Sequence, residues 1–214
     1  MENKKVNIMK KIYEVKTLDD AKKLAVADFG IALENIEFNV LKETKGFLGI
    51  GAKLEVEAKV AIDGIEEGKK YIKMILETNG VEGFIEKKVR DNNVEFNIDA
   101  GDYNGYLIGK NSRNLIALQT LISAVVNRYY SEEDFKVVLV DVGGYKKRRE
   151  KNLESMAVEW GKQVARSKDS MTITNLNSYE RKIIHNKLSS WKDVTTHSEG
   201  EGQERVLIIE YKEK

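Results

Sequence analysis

The chain has 214 residues, with 36 Lys plus Arg against 35 Asp plus Glu; its net charge of +1 gives no whole-chain polyelectrolyte signal, and its length suits one large or two to three small domains. With no cysteine, and His185 and His197 as the two imidazoles, disulfides, thiol catalysis, cysteine metal sites and multi-histidine centres are excluded, and neither metal nor cofactor is expected. The longest purely apolar runs are four residues, such as Val137 to Val140, which excludes a signal peptide and a membrane-inserted span and makes a cytoplasmic protein the expectation.

Proline is absent, so boundaries are read from Gly, Asn, Asp and charge. Alternating apolar residues predict strands at Ile36-Phe38-Val40 and Leu54-Val56-Ala58-Val60, with a shorter candidate at Ile12 to Val15. Before the first of these strong strands lies a predicted helix. Thr17 is its N-cap with Asp20 three residues on, Leu18, Ala21, Ala25 and Phe29 recur at helical spacing, and Gly30 closes it. The last two strands of this β-α-β-β unit are joined by Lys45-Gly46-Phe47-Leu48-Gly49-Ile50-Gly51. Its tip either folds back on the core or meets a protein partner through Phe47, Leu48 and Ile50. The glycine order G-x-x-G-x-G does not support a dinucleotide site.

A second unit starts near Gly64 with a helix using Ile65, Ile72, Ile75 and Leu76 and ending at Asn79-Gly80. Strands follow at Phe84 to Arg90 and Val94-Phe96-Ile98, joined at Asp91-Asn92-Asn93. Then come one helical turn at Tyr103 to Ile108, the break Gly109-Lys110-Asn111-Ser112, and a long helix with Leu115, Leu118, Ile122, Val125 and Tyr129 inward. A strand at Lys136 to Asp141 completes the order α-β-β-α-(break)-α-β, and Gly143-Gly144 is the best linker candidate.

The break suits a phosphate chain: unpaired N–H groups and the positive helix end point outward, Gly109 lets a backbone approach, and Lys110 and Arg113 add charge. It is not a nucleotide P-loop, because three residues rather than four separate Gly105 from Gly109 and Asn111 follows the lysine. Residues 64–142 resemble a type II KH domain through Leu107-Ile108-Gly109-Lys110 and Leu115-Ile116-Ala117-Leu118-Gln119. The resemblance implies that Gly109, Lys110, Asn111, Ser112 and Arg113 hold single-stranded nucleic acid. Ser112 stands where the second loop glycine is expected, which limits backbone approach.

The final third is basic, with 12 basic and 5 acidic residues from 143 to 192; a polyanion partner and a solvated helix face both account for this. Tyr145-Lys146-Lys147-Arg148-Arg149 leads into a helix with Leu153, Met156, Trp160 and Val164 inward, then a strand at Met171 to Ile173. Asn177 or Ser178 caps a helix to Trp191, and strands at Asp193 to His197 and Arg205 to Tyr211 close the unit. On the helical wheel Ile184, Leu188 and Trp191 share an apolar arc, while Ser178, Lys182, Ser189 and Lys192 share the arc of Arg181 and His185. Arg181-Lys182-Ile183-Ile184-His185, with Asn177 to Arg181 before it and Val194 to Gly200 after it, resembles the R-x-x-x-H domain. That module binds single strands, which marks Arg181, His185, Lys182, Ser178 and Lys192 as contact candidates; His197 is read as a strand or surface residue.

The three units in this order resemble the Jag family of SpoIIIJ-associated proteins. The expected fold is α+β in three small domains: a β-α-β-β unit at 9–62, a type II KH domain at 64–142 and an R-x-x-x-H domain at 145–214. The resemblance implies a cytoplasmic protein binding single-stranded RNA, with single-stranded DNA as the chemical alternative, and a post-transcriptional role in cell elongation, division or sporulation. It further implies a small single-KH protein or a second copy as partner, and a membrane-associated partner for the N-terminal unit. Family members usually begin near Met9-Lys10-Lys11, so residues 1–8 are expected to be an extension or a misplaced start, poorly ordered. An enzyme is not expected, since neither Ser178 with His185 nor Asp99 with Asp102 has an identifiable orienting group. The competing class is a protein-interaction scaffold acting through the N-terminal unit.

Overall fold

The computed structural model describes residues 9–44 and 53–213. The loop with Phe47, Leu48 and Ile50 lies outside the described residues, as do residues 1–8.

Strand β1 (Lys10–Val15), helix α1 (Leu18–Phe29) and strands β2 (Ile36–Thr44) and β3 (Lys53–Val60) form the N-terminal part. The hydroxyl oxygen of Thr17 accepts from the Asp20 N–H at 3.2 Å, and Gly30 takes φ 64 at the other end, as the local residue pattern predicts. Strand β3 lies between β1 and β2 and is antiparallel to both. Its inward residues Val56 and Ala58 pack with Tyr13, Ala21, Ala25 and Ile36. Val40, on the alternating apolar face, is exposed although it stays in register with Val56; the β2–β3 register shifts just beyond it, between Val40 and Lys42, where a bulge redirects the following residues.

Helix α2 (Gly64–Thr78), strands β4 (Phe84–Arg90) and β5 (Asn93–Asp99), helices α3 (Asn104–Ile108) and α4 (Arg113–Asn127), and strand β6 (Val137–Val142) follow. Asp63 caps α2 by accepting from the Ile65 N–H at 2.9 Å. The sheet order is β4-β5-β6, and the Val137 N–H donates to the Asn92 carbonyl at 2.8 Å, so β5 and β6 start side by side, as a parallel crossover through α3 and α4 requires. The buried face of α4 runs Leu115, Leu118, Ile122, Val126 and on to Tyr130, whereas the periodicity predicts Val125 and Tyr129, which are half-buried. The reason lies on α2. A Cβ at Gly68 would stand 2.5 Å from the Val126 side chain and one at Gly64 2.2 Å from the Val126 carbonyl oxygen, so the two glycines admit Val126.

Helix α5 (Tyr145–Ser167), strand β7 (Met171–Ile173), helix α6 (Ser178–Leu188) and strands β8 (Val194–Glu199) and β9 (Val206–Tyr211) form an antiparallel sheet of order β7-β9-β8 with two helices. Leu153, Ala157, Val164, Ile184, Leu188, Leu207 and Ile209 lie in its core. Met156, predicted inward, is exposed, and Ala157 and Gly161 face the core instead. A Cβ at Gly161 would lie 2.8 Å from Leu188 and 3.1 Å from the Trp191 ring, so α6 and the turn after it approach α5 where α5 is smallest. Helix α6 ends at Leu188 rather than Trp191, whose N–H closes a turn onto the Leu188 carbonyl at 3.0 Å.

These three sheets with their helices make an α+β protein. By contacts the chain forms two compact units: residues up to Ala100 with Ala117–Val140, and Gly101–Ile116 with Asp141 onward. Among the described residues no helix is long and apolar enough to cross a membrane, and no cluster of metal-ligating side chains occurs.

Candidate nucleic-acid interface

Helix α3 stops because Gly109 takes φ 69 and ψ 174, and its N–H closes onto the Gly105 carbonyl at 2.9 Å. A Cβ there would meet the Asn114 side chain at 2.6 Å, so the position excludes larger residues. Asn111 and Ser112 follow at φ 54 and φ 61, two consecutive left-handed residues, and α4 begins at Arg113. This backbone leads the chain into α4 with Lys110 and Arg113 exposed and without a carboxylate partner among the described residues. The positive end of α4 and two free cations therefore face solvent together, which is an arrangement for a phosphate.

Ser112 is 6% exposed, and its Oγ lies 2.9 Å from the Tyr145 hydroxyl at the start of α5. The residue that departs from the glycine pattern thus ties the loop to α5. Beside the loop, Tyr103 and Tyr106 stack with ring centroids 4.8 Å apart, and Tyr106 is 66% exposed. An exposed ring next to a phosphate loop offers a base-stacking surface. Sequence reasoning passed over it; the signal was a large aromatic at the third residue before Gly109 in an otherwise short helix.

The second element is a cleft of about 370 Å³ between α6 and β8. Asn177 and Glu180 build a capping box that fixes the start of α6, with the Glu180 N–H on Asn177 Oδ1 and the Asn177 N–H on Glu180 Oε2, both at 2.9 Å. Glu180 is buried and its other oxygen accepts from Arg149 Nε at 2.7 Å, which holds α6 to α5. From this frame Ser178, Arg181, Lys182 and His185 line the cleft with Thr196, His197 and Arg205.

Arg181 is 9% exposed, and its Nη1 donates to the Leu176 carbonyl at 2.6 Å and the Arg205 carbonyl at 3.4 Å, while Nη2 donates to Ser178 Oγ at 3.1 Å. Its fork thus joins α6 to the residue before β9 as well as lining the cleft. His185 is exposed, with Nδ1 2.6 Å from Thr196 Oγ1 and Nε2 without a partner among the described residues. His197, on β8, lines the same cleft; its Nε2 is 3.0 Å from Glu199 and its Nδ1 3.6 Å from Glu210. Lys192 is exposed past the end of α6 and does not line the cleft.

A model of the R-x-x-x-H domain matches residues 151–211, and a Jag N-terminus model matches residues 13–62. RNA-binding protein KhpB of Bacillus subtilis (strain 168) is 33% identical over 202 residues, covering 92% of this chain and 96% of that protein. The chain belongs to the Jag family of KhpB proteins. The KhpB of Clostridium symbiosum is 32% identical over 200 residues, 92% of this chain and 89% of its own. Arg181 and His185 lie inside the R-x-x-x-H match of this Jag-family chain, whereas Tyr145 to Glu150 precede it.

Proposed function

We propose that this Jag-family chain binds single-stranded RNA through the Gly109–Arg113 loop and the α6–β8 cleft, and acts as an RNA-binding regulator. The observation that carries this reading is the cleft's lining: Arg181, Lys182, Arg205 and two imidazoles, with no carboxylate among the lining residues. Such a site selects a phosphodiester backbone by charge and leaves the His185 ring exposed to a base. The relatives' printed name, RNA-binding protein KhpB, agrees with it.

The reading includes the domain organisation: a Jag N-terminal unit at 9–62, a type II KH domain at 64–142 and an R-x-x-x-H domain at 145–214. The α-β-β-α-α-β order with a break before α4 supports the middle assignment. It also places the protein in the cytoplasm as a binding protein rather than an enzyme, with a small single-KH protein or a second copy as further partner. Titrating one oligoribonucleotide, single-stranded and as a duplex, across a range of salt tests the binding. Single-strand binding with a log–log salt slope near about −3, for about four neutralised phosphates, is expected. Salt-independent binding, or none at low salt, overturns it.

A further inference from the structure

The first two turns of α5 carry Lys146, Lys147, Arg148, Arg149 and Lys151 against one acid, Glu150, and the first turn holds no acidic residue. Helices α1, α2 and α6 instead place Asp19 and Asp20, Glu66 and Glu67, and Glu180 in their first turns. Cations at the positive end of a helix dipole repel it, a cost that the Asp141 carboxylate, accepting from the Lys146 N–H at 3.1 Å, offsets in part. Arg149 is held by Glu180 and Arg148 by the Gly143 carbonyl. The ammonium groups of Lys147 and Lys151, one helical turn apart, have no partner among the described residues. Lys151 lines a cavity of about 430 Å³ with Tyr145, Arg148, Arg149 and Asn152. The Tyr145 hydroxyl, 2.9 Å from Ser112 Oγ, places this cavity wall next to the loop.

We propose that the face of α5 carrying Lys147, Arg148 and Lys151 is a further phosphate-contact surface, which takes the backbone of the same single-stranded RNA where it leaves the loop. This rests on the RNA-binding reading above and adds residues that precede or begin the R-x-x-x-H match. Two observations favour a nucleic-acid strand over an acidic protein segment. Tyr145, which contacts Ser112 of the loop, also lines the cavity with Arg148 and Lys151, and that wall combines an aromatic ring with cations, as a strand of phosphates and bases requires.

The test is the salt dependence of single-stranded RNA binding by the full chain, as wild type and as Lys147→Gln with Lys151→Gln. Two lost phosphate contacts reduce the slope by about 1.4, so wild type loses about sevenfold more affinity than the variant between about 50 and 200 mM salt. The variant's melting temperature holds or rises, because the Lys147 cation leaves the first turn of the helix. RNA binding by wild type with the same slope in the variant overturns the proposal and leaves the loop and cleft standing. Wild type that binds no RNA at about 50 mM salt overturns the underlying reading instead.

Discussion

Ser112 holds a left-handed conformation that costs a residue with a Cβ about 1–2 kcal/mol, and its buried hydroxyl has Tyr145 as partner. Tyr145→Phe leaves that hydroxyl unsatisfied, at about 1–3 kcal/mol. Ser112→Gly made in the Tyr145→Phe background removes both the strain and the orphaned group, so it stabilises the protein there. Urea unfolding of the four proteins measures the coupling, and additive changes contradict the contact. At Arg181 the consequence is of another kind, because Arg181→Ala strips the Leu176 and Arg205 carbonyls of a donor as well as emptying the cleft wall. It lowers stability by about 2–3 kcal/mol and RNA affinity together. His185→Ala removes one exposed ring and lowers affinity at an almost unchanged melting temperature. Thermal unfolding and RNA titration on the same samples separate the two residues. An Arg181→Ala variant that binds less while melting like wild type shows that the carbonyl contacts carry no stability.

At the scale of elements, the helix ends were the legible part. Thr17, Asn177 and Gly30 act within three or four residues of chain, and the α5 to β9 order follows from local pattern. The inward faces of long helices were less so, because they depend on what the partner helix presents: Gly64 and Gly68 bring in Val126, and Gly161 brings in Leu188 and Trp191. Reading by size chose Met156 where a small residue faces the core. The wheel placed Arg181 and His185 on one basic arc, yet it gave no sign that the Leu176 and Arg205 carbonyls wait there for the guanidinium. Gly161→Ala tests this packing: a methyl 2.8 Å from Leu188 forces movement, and a net loss of about 1–2 kcal/mol is expected after the gain in helix propensity. An unchanged or raised melting temperature contradicts the close approach. In the N-terminal part, hydrogen bonds from Lys11 and then Tyr13 lower the Asp28 carboxyl below its ordinary 3.8. A carboxyl with a lowered folded-state value stabilises above the unfolded value, and that contribution disappears as pH falls through about 4 and below. Burial, then the bond to Asp28, pushes Tyr13 up from 10.0 to about 12, so its neutral form is favoured and that contribution is lost between about pH 10 and 12. Asp28→Asn therefore flattens the acid limb of a stability–pH curve. An acid limb identical to wild type contradicts the assignment.

At the scale of the molecule, the loop residues 109–113 belong by contacts to the same compact unit as α5, α6 and the C-terminal sheet. The Ser112–Tyr145 contact and the capping box with Arg149 give that unit one continuous frame from loop to α6. The frame presents Lys110, Arg113, the Tyr106 ring and the cleft of Arg181 and His185 to solvent within one compact unit. The central claim is that one RNA strand engages both loop and cleft. Photo-crosslinking the full chain to a uridine-rich single strand, followed by mapping of the crosslinked peptides, tests it most directly. The account predicts crosslinks in peptides containing Tyr106 to Arg113 and in peptides containing Arg181 to His185 or Thr196 to Arg205. Robust RNA binding with crosslinks confined to residues outside both segments would contradict it.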